Sequence, residues 1–203
     1  MRSIKHFFEQ SWLLIVASFF FGLLIAVTNA ALSARIAWNA TAKLNTLAGG
    51  LLPAATKFTP LDETIDIVAR GGKPEALQLY RATDNGDTVG WIFTAVGSGF
   101  ADKIELVVAV NGDFQSLAGF DILSSNETPG FGDRIKEDGF RNQFKGAPAG
   151  ELAISTSGEP GTVVTISGAT VSSTAVIETL SHYLTQVKEQ MQQKGLVDHD
   201  NES

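Results

Sequence analysis

A run of mostly apolar residues without a single charge extends from Ser11 to Leu32. As a helix, this run would be about 33 Å long, which is enough to cross the hydrocarbon core of a bilayer. A cleaved signal peptide is the competing interpretation, but the run exceeds the usual apolar core of such peptides and no clean cleavage site follows it. The pattern therefore predicts an uncleaved transmembrane anchor at residues 11–32.

The charges on either side of this anchor indicate its orientation. Arg2 and Lys5 precede the run, whereas Arg35 and Lys43 lie on its far side. Positively charged residues at the start of a first membrane helix tend to stay in the cytoplasm. Residues 1–10 are therefore predicted to be a cytoplasmic N-terminus, and the main domain is predicted to lie outside the cytoplasm.

Beyond the anchor, the spacing of apolar residues changes from helical to alternating. Leucines continue at helical spacing until Pro53, which predicts a helical stalk and a segment leading into the domain over residues 33–73. Within this segment, residues 65–68 form a short apolar patch that could be a strand. Clear strand patterns then follow at residues 77–81, 89–96, 103–110 and 114–123.

Glycine-containing turns separate these strands. Asn85-Gly86 and Asn111-Gly112 are pairs that supply the positive φ angles of tight two-residue turns, so neighbouring strands are predicted to run antiparallel. A third turn, at residues 97–99, reads Gly-Ser-Gly. It lacks the third glycine and the following helix of a dinucleotide-binding fingerprint, so we do not predict a site of that kind.

A final helix with an apolar stripe closes the domain. The stripe consists of Val176, Leu180, Tyr183, Leu184 and Val187. Before it, Phe140 and Phe144 predict a short helix with inward-facing rings, and residues 162–166 predict a β-branched strand. The fold class is therefore α+β: an N-terminal transmembrane helix followed by a mostly antiparallel-sheet domain at residues 74–190 with flanking helices. A polar tail occupies residues 191–203.

Composition limits the chemistry that the chain can carry. Its net charge of -7 and its lack of clustered lysine and arginine argue against a nucleic-acid partner. It has no cysteine, which excludes iron–sulfur clusters, thiol redox chemistry, cysteinyl-flavin links and disulfides. His6, His182 and His199 lack the spacing of metal ligands, and no hydrolase motif is present. We therefore predict no catalytic or metal-binding residue, and any redox chemistry requires a bound cofactor.

Residues 167–170 read Ser-Gly-Ala-Thr and lie just before the predicted final helix. Gly168 and Ala169 leave the backbone accessible, and the amides and dipole of a helix N-terminus favour the negative charge of a phosphate. A hydroxyl in this motif could therefore carry a phosphate ester. The motif could equally be a tight turn in which Ser172 or Ser173 caps the helix.

A second motif lies upstream, where residues 126–132 read Asn-Glu-Thr-Pro-Gly-Phe-Gly. Taken alone, it describes a polar loop in which Pro129 fixes φ and Gly130 frees it. Taken together, the two motifs resemble those of the membrane-anchored, FMN-binding G subunit of the Rnf electron-transport complex. More distantly, the chain resembles the C subunit of the sodium-pumping NADH:quinone reductase. The resemblance extends from the N-terminal helix to about Gln190 and so covers most of the chain.

This resemblance implies a covalently bound flavin. In the family, FMN is joined through its phosphate to the last threonine of the Ser-Gly-Ala-Thr motif, which is Thr170 here. Besides Thr170, the cofactor-binding residues that the resemblance implies are Ser167, Gly168, Ala169, Glu127, Thr128, Pro129, Gly130 and Gly132. Among them, Glu127 and Thr128 are expected to bind and position the flavin through hydrogen bonds, without acting as proton-transfer catalysts.

By the same resemblance, the chain is expected to be an electron-transfer subunit of the bacterial inner membrane. Its FMN would pass electrons between neighbouring subunits of a complex that couples electron flow between ferredoxin and NAD to ion movement. A flavin transferase would attach the FMN during maturation. Two alternatives stay open: an FMN-binding subunit of a different exported electron-transfer chain, and a flavin-free membrane-anchored assembly module.

Two positions depart from the family pattern. Val164 stands six positions before Thr170, where the family usually has an acidic residue that is thought to help the transferase recognise its target. Ser125 stands where the family often has a histidine. Arg134 and Lys136, next to the second motif, are either solvated charges or help to neutralise a nearby phosphate.

Overall fold

The computed structural model of the chain describes residues 2–69, 72–155 and 162–197. The chain divides into two units, Met1–Lys43 and Leu44–Ser203. Helix α1, Arg2–Leu51, begins in the first unit and ends in the second. Within α1, Ser11–Ser33 is long and apolar enough to cross a membrane, in agreement with the predicted anchor.

The second unit contains one large sheet and two small ones. In chain order, the strands are β1 (Lys57–Pro60), β2 (Ile65–Val68), β3 (Pro74–Leu77), β4 (Tyr80–Asp84), β5 (Asp87–Ser98), β6 (Lys103–Asn111), β7 (Leu117–Ser125), β8 (Ala153–Ser155) and β9 (Thr162–Val164). The large sheet is antiparallel, with the strand order β1-β4-β5-β6-β7. Strands β2 and β3 form an antiparallel pair, and β8 and β9 form a parallel one. The predicted class, mostly antiparallel α+β, is confirmed.

Helix α3, Thr170–Gln193, covers one face of the large sheet. The apolar stripe predicted for it is buried, namely Val176, Leu180, Tyr183, Leu184 and Val187. On β6, Leu106 packs in the core cluster that contains this stripe, whereas Val107 packs in a second cluster with the end of α1. Because successive strand residues point to opposite faces, helical residues cover the sheet on both sides.

The second unit begins earlier than the predicted domain. It starts at Leu44 and so includes part of the segment 33–73 that the sequence assigned to the stalk and the approach to the domain. Strand β1 forms the edge of the large sheet beside β4, and β2 pairs with β3. Strand β2 coincides with the apolar patch at residues 65–68, which the sequence marked as a possible strand, whereas no pattern in the sequence predicted β1.

Of the two predicted Asn-Gly turns, only the first adopts positive φ angles, because between β6 and β7 the positive φ lies at Phe114 and not at Asn111 or Gly112. Asn85 and Gly86 adopt positive φ angles of 49° and 100° between β4 and β5, as predicted for a tight hairpin. The strand predicted at residues 114–123 begins only with β7, because Phe114 has a φ of 58° and lies in the preceding turn. The strand predicted at residues 77–81 is split between the end of β3 and the start of β4.

A cluster of three phenylalanines holds the segment that follows the Glu-Thr-Pro-Gly motif. This segment consists of a 3₁₀ turn at Gly132–Lys136, helix α2 at Asp138–Arg141 and a 3₁₀ turn at Asn142–Phe144. Phe120 of β7 contacts Phe140 and Phe144 edge to face, with ring centroids 6.2 and 4.8 Å away. All three rings are buried, as predicted for Phe140 and Phe144. The phenylalanine cluster thereby fixes the segment against the sheet.

Removing one ring from this cluster is expected to destabilise the second unit. Phe144→Ala deletes a fully buried ring and should lower the free energy of unfolding by about 3–5 kcal/mol. The measurement is denaturant unfolding of the full chain in detergent micelles, followed by tryptophan emission. Phe100→Ala is the matched control, because Phe100 is 72% exposed. Equal losses of stability in the two variants would contradict the packing role of Phe144.

Candidate functional site

The Ser-Gly-Ala-Thr motif forms the turn between β9 and α3. The Ala169 N–H donates to the Ile166 carbonyl oxygen at 2.9 Å and closes the turn. Gly168 has a φ of 82°, a conformation that glycine adopts without steric strain. Ser167 and Thr170 are exposed, whereas Ala169 is buried. The turn therefore presents the Thr170 hydroxyl at the first residue of a long helix.

The serines that follow the motif do not cap this helix. Its N-cap residue is Ala169, which makes no side-chain cap hydrogen bond. The Ser173 hydroxyl accepts from the Ile166 N–H at 3.1 Å and donates to the Ala169 carbonyl oxygen at 2.9 Å. The alternative prediction, a cap by Ser172 or Ser173, is therefore wrong. The backbone N–H of Ser173 bonds to Ala169, and the amides before it in the helix have no partner within the helix.

Glu127 is a buried carboxylate that is only 5% exposed. Its Oε1 accepts from the backbone N–H of Ala101 at 3.0 Å and, more weakly, from that of Asp102 at 3.5 Å. Its Oε2 accepts from the Ser172 hydroxyl at 2.5 Å. Burying a carboxylate is costly unless such donors replace water. These bonds join three segments: the loop between β5 and β6, the loop after β7 and the first turn of α3.

Two glycines make room for this carboxylate. A Cβ atom on Gly99 would overlap Glu127 Oε1. A Cβ atom on Gly132 would overlap Glu127 Oε2 and would lie 2.8 Å from Ser172 Oγ. Gly132 is the last glycine of the upstream motif. Any larger residue at this position would have to displace the buried carboxylate or its serine partner.

A cavity of about 440 Å³ lies between the two sequence motifs. It is lined by Phe100, Thr128, Phe131, Gly132, Gly168, Ala169, Thr170, Val171 and Ser172. None of these nine side chains is ionisable. The volume is typical of a small-ligand pocket. Since Gly132 and Ser172 contact Glu127 as well as the cavity, the buried carboxylate supports the cavity wall from behind.

The cavity brings together part of the predicted cofactor site. The predicted residues that line it are Thr128, Gly132, Gly168, Ala169 and Thr170. Its lining does not include Ser167, Glu127, Pro129 or Gly130. The lining residues that were not predicted from the sequence are Phe100, Phe131, Val171 and Ser172. Three of these four lie in or next to the motifs, but no sequence pattern links Phe100 to them.

Arg134, two residues after the upstream motif, bonds to the Ser-Gly-Ala-Thr motif. Its Nη1 donates to the Ser167 carbonyl oxygen at 2.8 Å, and its Nε donates to Glu137 Oε1 at 3.2 Å. The ion pair with Glu137 is exposed and therefore contributes little to stability. Lys136 is exposed as well. Arg134 thus holds a positive charge beside the Ser-Gly-Ala-Thr turn.

The two positions that depart from the expected motif pattern have structural partners. Val164, the last residue of β9, donates its N–H to Gln143 Oε1 at 2.9 Å. The Ser125 hydroxyl accepts from the Glu127 N–H at 3.3 Å and so fixes the backbone where the upstream motif begins. Neither residue is part of the cavity lining.

Comparison with known proteins relates this site to flavoproteins. A family described as an FMN-binding domain matches residues 99–185, which include both motifs. A crystal structure of NqrC from Shewanella oneidensis has a similar fold, with a TM-score of 0.53, 21% sequence identity and coverage of 70% of this chain and 71% of that chain.

Curated relatives identify the family. The G subunit of the Na(+)-translocating ferredoxin:NAD(+) oxidoreductase complex of Acetobacterium woodii is 31% identical over 184 residues, 85% of this chain and 87% of the relative. The G subunit of the ion-translocating oxidoreductase complex of Methanosarcina acetivorans is 33% identical over 64% of this chain and 67% of its own length. The corresponding protein of Cereibacter sphaeroides is 30% identical over 80% and 76% of the two chains. The chain therefore belongs to the family of G subunits of Rnf-type ion-translocating oxidoreductase complexes.

Proposed function

We propose that this protein is an electron-transfer subunit of a multi-subunit ion-translocating complex and that it carries FMN esterified through its phosphate to Thr170. One observation carries the proposal: the exposed Thr170 hydroxyl stands on the wall of a cavity that both motifs form. The match to an FMN-binding domain and the kinship with G subunits support it. Other subunits of such a complex would donate and accept the electrons.

The surroundings of Thr170 suit a phosphate ester. The hydrogen bond from Thr170 Oγ1 to the Ile166 carbonyl oxygen is long, at 3.5 Å. It is therefore weak, and its loss on esterification would cost little stability. The first-turn amides and the dipole of α3 favour a negative charge at this end of the helix. Arg134, bound to the Ser167 carbonyl, adds a positive charge nearby. These groups would hold the phosphate.

The cavity suits the rest of the flavin. Its wall combines two phenyl rings, glycine backbone and the Thr128 hydroxyl, in keeping with ligand pockets that are mostly apolar with few polar groups. The space beside the Gly168 Cα is open, which leaves room next to Thr170 for a bulky group. When bound, FMN supplies electron-transfer chemistry that this cysteine-free chain otherwise lacks. The protein binds and orients the cofactor and excludes water from it, and Glu127 contributes by holding the wall in place.

The proposal includes a membrane anchor and an orientation. Ser11–Ser33 would be the single membrane-spanning segment. Arg2 and Lys5 precede it, which favours a cytoplasmic N-terminus and an FMN domain on the periplasmic or extracytoplasmic side of the bacterial inner membrane. A covalent link would prevent loss of the cofactor by dilution on that side. A flavin transferase acting there would make the link.

A flavin-free assembly module with the same fold is the second candidate, and Val164 favours it. This residue replaces the acidic side chain that is thought to help the transferase recognise its target. The mass of the peptide that contains Thr170 decides between the two candidates. The identity of copurified subunits decides whether a flavin-loaded chain serves an ion-translocating complex or a different exported electron-transfer chain.

Thr170→Val is expected to abolish flavin attachment without unfolding the domain, because valine has a similar volume and no hydroxyl. Protein isolated from its own host should carry an addition of FMN minus water on the Thr170 peptide, and the variant should carry none. Thr174→Val, one helical turn further along α3, is the matched control and should stay loaded. An unmodified Thr170 peptide in the wild-type chain, or acid-stable yellow colour in Thr170→Val, would count against attachment at this residue.

Gly132→Ala is expected to displace the Glu127 carboxylate that supports the cavity wall. The added Cβ would overlap the buried Glu127 carboxylate, and overpacking of this kind lowers the free energy of unfolding by about 1–3 kcal/mol. Flavin loading per chain should fall with it. Gly139→Ala is the matched control, because Gly139 lies in α2 with open space around its Cα. We would measure denaturant unfolding and flavin absorbance per chain for both variants, and indistinguishable results would refute the role of Gly132.

A further inference from the structure

Two exposed phenylalanines in the second unit lie beside the cavity that contains Thr170. The unit contains eight phenylalanines, Phe58, Phe93, Phe100, Phe114, Phe120, Phe131, Phe140 and Phe144. Among them, Phe100 is 72% exposed and Phe131 is 62% exposed, whereas the other six are buried or half-buried. Both exposed rings line the cavity that contains Thr170. Single exposed apolar residues are ordinary, but here both lie on the wall of the same cavity.

The residues that follow the two phenylalanines both contact the buried Glu127 carboxylate. Phe100 directly precedes Ala101, whose N–H bonds to Glu127 Oε1 at 3.0 Å. Phe131 directly precedes Gly132, which packs against Glu127 Oε2. The Phe131 N–H also donates to the Thr128 carbonyl oxygen at 3.2 Å. The backbones that carry the two rings are therefore fixed relative to each other, although they belong to different loops.

Neither ring has an aromatic partner among the residues that the structure describes. Among these residues, the pairs of aromatic rings in the second unit are those of the phenylalanine cluster and the pair of His182 and Tyr183. Aromatic rings gain from offset-stacked or edge-to-face contact with another aromatic system. Two unpaired phenyl rings on backbones that are held together, in a wall without ionisable groups, thus suit a flat, apolar aromatic group.

We infer that Phe100 and Phe131 pack against the isoalloxazine ring system of the FMN on Thr170 and shield it from water. This inference rests on the proposed function. Since Thr170 lines the same cavity, its ester would keep the ring system within reach of both phenyl groups. Phe100 and Phe131 are thus positioning residues for the cofactor, and they set how much of it solvent can reach.

The first test measures solvent access to the flavin. The full-length chain and its Phe100→Ala and Phe131→Ala variants are expressed with a flavin transferase, and loading is verified from the mass of the Thr170 peptide. Iodide quenching of flavin emission is then measured per bound flavin. Because ligand pockets bury most of the ligand surface, each alanine variant should raise the quenching constant about twofold or more. Ile154→Ala, which removes a 45% exposed side chain outside the cavity lining, should leave it unchanged.

The second test keeps the ring and adds a contact probe. A phenol that touches an excited flavin quenches its emission, so Phe100→Tyr and Phe131→Tyr should lower emission per flavin several-fold. Phe58→Tyr, on β1, is the matched control, because Phe58 packs in the core cluster formed with the end of α1 and not in the cavity. Its emission should equal that of the parent chain.

The outcomes separate this inference from the proposed function. A loaded parent chain with unchanged iodide quenching in both alanine variants, or undiminished emission in both tyrosine variants, would overturn the inference and leave the proposed function intact. Unchanged flavin properties combined with loss of copurifying subunits would also overturn it, by assigning the two rings to subunit docking. A parent chain without FMN on Thr170 would refute the proposed function itself, and the inference with it.

Discussion

The buried carboxylate of Glu127 is the constraint on which the site depends. A carboxylate that is 5% exposed needs donors in place of water. It obtains them from the Ala101 N–H and the Ser172 hydroxyl, which lie in two segments distant from Glu127 in sequence. Gly99 and Gly132 leave the space that this arrangement requires. These bonds hold together the β5–β6 loop, the loop after β7 and the first turn of α3, and the position of these three segments sets the shape of the cavity.

The large sheet brings these segments to one place. Ser98 at the end of β5 pairs with Lys103 at the start of β6, and the next residue, Ile104, pairs with Ser125 at the end of β7. The β5–β6 turn and the loop that begins with the upstream motif therefore leave the same end of the sheet. Helix α3 packs across this sheet through its buried stripe. Its first turn then reaches Glu127 through the bond from Ser172.

The features that could be predicted from the sequence are those set by residues close together in the chain, through hydrophobic periodicity and turn chemistry. The anchor, the hairpin at Asn85, the stripe of α3 and the turn before Thr170 are of this kind. The structure added features that depend on distant partners, such as the short strand β1, which is recognised only by its pairing with β4. Ser172 is the clearest case. Its sequence position suggested a helix cap, whereas the fold supplies a carboxylate 45 residues away as its partner.

The shared support of the cavity wall has a consequence for electron transfer. Charge is exchanged with a small barrier when the surrounding groups are already in place and need not rearrange. The loops that carry Phe100 and Phe131 and the first turn of α3 can separate only by breaking hydrogen bonds to, or contacts with, one desolvated group. A redox centre between them would gain and lose electrons in surroundings with low reorganisation energy.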